Sequence, residues 1–187
     1  MLNVFKYFEK PSELNKSELI PEMQWVDKLH DGKVTPFDKQ SLNSILYLIK
    51  KSPRLAYYYA RKIIEGRWSE GEPIILKSPY WSYEYACNII NKGHVNNMVR
   101  WEEAEPIIMT DPEAACLYAS MILNSRWPEA EPIIMKDPNE ASNYAEYVIH
   151  DRWPEAEPYI KQDEYHWKEY QNFLKTIEED DEYQYEY

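Results

Sequence analysis

Between residues 52 and 160, apolar positions recur in steps of three and four after a Ser-Pro or Asp-Pro pair, a spacing that predicts α-helices. The pairs are Ser52-Pro53, Ser78-Pro79, Asp111-Pro112 and Asp137-Pro138. Ser or Asp can cap the first free N–H groups, and Pro at the first helical position gives up a donor that has no partner there. Three residues after each Pro stand Ala56, Ser82, Ala115 and Ala141, and seven after it Ala60, Ala86, Ala119 and Ala145. The tenth and eleventh positions are Ile63-Ile64, Ile89-Ile90, Ile122-Leu123 and Val148-Ile149. This face is small at its start, where neighbouring helices can approach, and bulky at its end. Tyr59, Tyr85, Tyr118 and Tyr144 each precede the second alanine, and a buried ring with its hydroxyl at the rim is expected of them.

Ahead of the helices at Pro79, Pro112 and Pro138 stands a second element. RWPEAEPIIMKDP from Arg126 returns as RWPEAEP from Arg152, as RWEEAEPIIMTDP from Arg100 and as RWSEGEPIILKSP from Arg67. Trp127 and Trp153 are 26 residues apart, and Trp68, Trp101 and Trp127 each precede the next Pro-initiated helix by 11. Pro128 can start a short helix, while Pro132 would clash with a preceding turn, so a short helix with an irregular first turn and Ile133-Ile134 facing the core is predicted. A single hairpin of 26 residues cannot bury its apolar face, whereas a stack of them builds a continuous core. The fold class is therefore all-α: a short solenoid of about five helical hairpins, both caps included, over residues 35–177.

The ends diverge from the repeat. Thr35-Pro36 opens a helix to Lys51 that aligns Leu48-Ile49 with the later apolar pairs, and residues 1–34 form a helical lead-in. Asp163 starts a last helix in which Trp167 and Gln171 replace the small positions, as expected of a terminal cap. Residues 178–187, EEDDEYQYEY, carry six acids and no base, and are expected to be a disordered acidic tail. The RWPEAEP…DP…YA…I pattern over residues 52–160 resembles tandem repeats in proteins encoded by large-genome bacteriophages. The resemblance implies a helical array and a viral origin, and it brings no catalytic residue. Ser69, Gly71 and Glu102 depart from the motif.

Charge and chemistry narrow the function. The chain of 187 residues has 33 acids against 21 Lys and Arg, a net −12, which disfavours direct binding to nucleic acid. No apolar run reaches a membrane span and no signal peptide is evident, so a cytoplasmic protein is expected, in the host cell if phage-encoded. Cys87 and Cys116 lack metal spacing and read as buried reduced thiols. His30, His94, His150 and His166 show no ligand pattern, and four glycines supply no phosphate loop, so no metal, cofactor or catalytic residue is expected.

Binding candidates come from three places. Stacking would align Glu103, Glu129 and Glu155, and likewise Glu105, Glu131 and Glu157, into columns, either bridged between repeats by Arg67, Arg100, Arg126 and Arg152 or left as an acidic ridge. The interval from Pro79 to Trp101 is seven residues longer than in the other copies, which makes His94, Asn96, Asn97 and Met98 contact candidates. Tyr80, Trp81 and Tyr83 form an aromatic patch that serves either an interface or the core against the N-terminal segment. The expected function is a non-enzymatic protein-binding module, a phage-encoded inhibitor of a host defence or nucleic-acid-handling protein in which carboxylates imitate phosphates. The alternatives are a self-assembling structural repeat protein and a metal-dependent carboxylate hydrolase, with oligomeric state left open.

Overall fold

The computed structural model describes residues 47, 49–94 and 97–184, the last six by backbone alone. The lead-in over 1–34, most of the helix from Thr35, and Asn96 lie outside the described residues. Within them the chain is helical, without strands, and the two-element repeat is present. The long helices are α1 (Pro53–Tyr59), α3 (Pro79–Tyr85), α5 (Pro112–Tyr118) and α7 (Pro138–Tyr144). The short ones are α2 (Glu72–Ile75), α4 (Glu105–Ile108), α6 (Glu131–Ile134) and α8 (Glu157–Ile160), and α9 (Glu164–Gln184) closes the array. Each long helix packs beside the next, and each short helix touches the long helices before and after it.

The start signals act as expected. Ser52, Ser78, Asp111 and Asp137 each accept a backbone N–H of the following turn, and Asp163 does the same for His166. The short element is shorter than its prolines suggested. Residues 128–130 form a turn, and helix begins only at Glu131 with Pro132 second, because that ring excludes the residue four earlier from the same helix. Ile134 is fully buried and Ile133 only half-buried.

The ends of the long helices hold a surprise. Each continues as a π-helical turn, over Ala60–Ile64, Ala86–Ile90, Ala119–Leu123 and Ala145–Ile149. There the N–H of Glu65, Asn91 and Asn124 reaches the carbonyl of Ala60, Ala86 and Ala119. This wider turn rotates the eleventh position off the buried face. Ile89, Ile122 and Val148 are buried, whereas their successors are half-buried and Ile64 is exposed.

Between neighbouring copies the joint is a tyrosine. The ring of Tyr85 stacks on Trp101, Tyr118 on Trp127 and Tyr144 on Trp153, with centroids 5.0, 5.4 and 5.0 Å apart and planes tilted by 40–43°. The hydroxyl of the same tyrosine reaches back and accepts the backbone N–H of the Trp that precedes it by 17 residues. Expected at the rim, these hydroxyls instead sit inside, because the peptide N–H of a buried Trp needs an acceptor there. Tyr85, Tyr118 and Tyr144 are fully buried, and Trp101, Trp127 and Trp153 nearly so.

The array closes on itself at α9. Trp167 of the same helix lies against the ring of Tyr170 at 5.6 Å and 33°. Trp167 stands where the other copies have alanine or serine, and Lys161 Nζ lies 4.5 Å from its ring centroid. At 21 residues, α9 is about 31 Å long and runs past residue 178, where the tail was expected to begin.

The first copy is the irregular one. Where the others have fully buried Ala104, Ala130 and Ala156 it has Gly71, and the ring of Trp68 lies over that glycine. A Cβ there would fall 2.0 Å from Trp68 Cε3. Gly71→Ala is therefore expected to lower stability by about 1–3 kcal/mol through overpacking. An unchanged urea midpoint would show that Trp68 moves freely into the pose of its counterparts.

Candidate protein-binding surface

The second glutamate of each E-x-E pair is structural. Arg67, Arg100 and Arg126 each grip the glutamate five residues on through two bonds, with Nε to Oε1 distances of 2.7, 2.8 and 2.8 Å. Arg152 pairs with Glu157 through its Nε and Oε1, and the other carboxylate oxygen takes Lys161. These bridges run within a motif and not between repeats, as the column arrangement had suggested. Tyr85, Tyr118 and Tyr144 donate to Glu72, Glu105 and Glu131 at 3.1–3.2 Å. Glu105 and Glu157 are buried, so both are withdrawn from any partner, and Glu131 is half-buried. Glu103, Glu129 and Glu155 are exposed, and the field of Glu103 acts on Arg67 and that of Glu155 on Arg126, each in the preceding copy. The motif side of the array is therefore a mixed-charge face with free outer carboxylates.

The aromatic candidates divide. Tyr83 is buried, and Tyr80 and Trp81 are half-buried. Trp81 packs 5.2 Å from Tyr57 and 5.8 Å from Tyr58, so the patch joins α3 to α1. Beneath it, Glu84 accepts the Tyr57 hydroxyl at 3.1 Å and the Asn88 amide at 3.1 Å. The edges of Tyr58, Tyr80 and Trp81 remain accessible.

The seven inserted residues grow from a closed base. Asn91 is almost fully buried, its Oδ1 accepts Val99 N–H at 2.6 Å, and its Nδ2 donates to Val99 O and Ala86 O at 2.9 and 3.0 Å. Elsewhere the helix ends in a left-handed residue, Glu65, Asn124 or His150, but here Asn91 stays out of that region and Gly93 takes a φ of 85°. His94 and Asn97 are exposed, while Met98 packs half-buried on the core.

A further feature lies at none of the positions expected to bind. Asp111, Glu113, Asp137, Asn139, Glu140 and Asp163 line an open groove of 570 Å³ along the starts of α5, α7 and α9, with His166 beside them. The signal was present: the caps are Ser in the first two copies and Asp from Asp111 onward, so stacking the copies also stacks their cap carboxylates. Glu140 is buried at its wall, accepts Asn139 Nδ2 at 2.6 Å, and is raised above the usual carboxylate range by burial and then by Asp137 and Glu113. Burial pushes the Cys87 thiol up to about 12, and holds Cys116, beside Glu140, well above the usual thiol range. Neither thiol is a thiolate at neutral pH. Among the described residues no group of three His, Cys, Asp or Glu is placed to hold a metal ion, and no helix is long and apolar enough to cross a membrane.

These carboxylates set the pH dependence of stability. Glu84, Glu140 and Glu146 are raised above 4.5, each chiefly by burial, so their contribution is greatest when protonated and is lost as pH rises through their folded values. Glu157 is lowered from 4.5, chiefly by the Arg152 bond, so its contribution is present above that value and is lost as pH falls through its folded value. Stability should rise from neutral pH to a mildly acidic maximum and then fall below about pH 4.5. Thermal melts across pH check this, and Glu140→Gln should flatten the rising limb. A maximum at or above neutral pH would contradict the assignment. No family model, no curated protein and no solved structure matches the chain.

Proposed function

We propose that the chain is a non-enzymatic protein-binding module: a phage-encoded inhibitor that occupies a basic surface of a host defence or nucleic-acid-handling protein. The acidic groove along the starts of α5, α7 and α9 carries this reading, because a periodic row of carboxylates on a rigid array presents a preformed negative field to a basic cleft. The groove takes over the phosphate-like role that the sequence had suggested for the E-x-E columns, whose inner members are each bonded to arginine and, except Glu157, to tyrosine. The exposed Glu103, Glu129 and Glu155 add to the field from the motif side. Self-assembly end to end is disfavoured at α9, where Trp167 occupies the place of a further repeat.

Capture from bacterial lysate tests the reading. Glu113 and Asn139 are exposed and do not cap their helices, so Glu113→Lys with Asn139→Lys sets two lysines against the four remaining carboxylates and weakens the groove field without removing a helix start. The expected result is a captured basic protein that the double variant releases. Retention by the variant, or capture of nothing by either chain, would overturn the proposal.

A further inference from the structure

Repetition offers an internal control: what the array needs recurs in every copy, so departures that converge on one place point to a role other than stability. The insertion, which is such a departure, meets two positions that differ in every copy at the far ends of α1 and α3. There a cleft of 380 Å³ is lined by Arg61, Glu65, Gly66, Asn88, Lys92 and Gly93, among others. Lys92 and Gly93 belong to the insertion. The counterparts of Arg61 are Cys87, Ser120 and Glu146, and those of Gly66 in the uninterrupted copies are Ser125 and Asp151. The same place between α5 and α7 therefore carries Ser120, Ser125, Glu146 and Asp151, which is neutral to acidic, whereas this cleft is basic.

The cations are also placed unlike the motif arginines. Arg61 donates to the Tyr57 hydroxyl at 2.8 Å, through which it faces Glu84, and Lys92 donates to the backbone oxygen of Glu65 at 3.2 Å; among the described residues neither makes a direct ion pair. A Cβ added at Gly66 or Gly93 would meet nothing within 4 Å, so backbone is open to a ligand at both. Glu65 is the one acid in the lining, and Glu84 behind it is raised by burial. We propose that this cleft binds an oxyanion, a carboxylate or phosphate group, between Arg61 and Lys92. The inference does not rest on the acidic groove, which lies at the opposite ends of the long helices. A competing account holds that the two cations only neutralise the carbonyl ends of α1 and α3.

The test is an amide NMR titration of the full chain with inorganic phosphate and, separately, with a capped hexaglutamate peptide. Saturable shifts are expected at Gly66, Gly93 and the Asn88 side chain, weakened about tenfold or more in Arg61→Gln with Lys92→Gln. Stronger binding of the peptide would identify a carboxylate source, and stronger binding of phosphate a phosphate source. Glu113→Lys with Asn139→Lys should leave the titration unchanged, which separates this site from the groove. Absence of saturable shifts with both probes, or shifts that persist in a double glutamine variant whose amide spectrum remains folded, would overturn the proposal. A lowered melting temperature of that variant without any titration of the native chain would favour the neutralisation account and likewise overturn it.

Discussion

Trp127→Ala is expected to cost about 3–5 kcal/mol, the range for removing a large buried aromatic. The side chain is 3% exposed, its ring covers Tyr118 of the preceding copy, and it sits beside the fully buried Ala130. Its loss opens a cavity at a joint, where relaxation would have to move two copies relative to each other. Because a solenoid is held together by nearest-neighbour contacts, the deficit should also loosen the coupling between the halves on either side. Urea unfolding followed by far-ultraviolet dichroism and by fluorescence is expected to show a lower midpoint and two transitions that no longer coincide. A loss under about 1 kcal/mol would mean that the ring contributes little to the core and would move Trp127 to the list of binding residues.

Tyr118→Phe is expected to cost roughly 2–3 kcal/mol although it removes one atom and leaves the ring stacked on Trp127. That oxygen accepts Trp101 N–H at 2.8 Å and donates to Glu105 at 3.1 Å, and both partners are buried. Without it a peptide N–H loses its acceptor and a carboxylate loses one of its donors, and neither can turn to water. Tyr170→Phe supplies a graded comparison. Its hydroxyl accepts Trp153 N–H at 2.7 Å but makes no bond to Glu157, so the same substitution there should cost less. Equal losses at the two positions would show that the carboxylate bond adds nothing, and chemical denaturation of both variants decides it.

Much of the fold was legible because the signals were local and repeated. Ser or Asp before Pro marks a helix start by hydrogen-bond chemistry that needs no tertiary context, and all four such starts formed. The π turns were not legible, since a widened turn answers to packing between helices and leaves the three-and-four spacing intact on paper. The pairing of the inner glutamates was not legible for a related reason: the column arrangement follows from stacking whole copies, whereas Glu103 lies in a turn and Glu105 opens α4. A bridge from Arg100 to Glu105 across that corner follows from the backbone bend and not from helical spacing. The acidic groove was not legible, because the cap rule gives Asp111, Asp137 and Asp163 a role one helix at a time and says nothing of their alignment in space.

Two intervals along the chain behave differently. From each Trp to the tyrosine that caps its N–H the count is 17 in all four copies, because a hydrogen bond with a fixed direction spans it. From a tyrosine to the Trp that stacks on its ring the count is nine in three cases and 16 in one, from Tyr85 to Trp101. Growth of the chain is thus confined to one segment of each period, the exit from the long helix, where Asn91 shows that a single side chain can close the base of added sequence. The array can lengthen by whole periods or acquire an appendage at any exit without disturbing a bond in its spine, so new surface can be tried at each joint independently of the core.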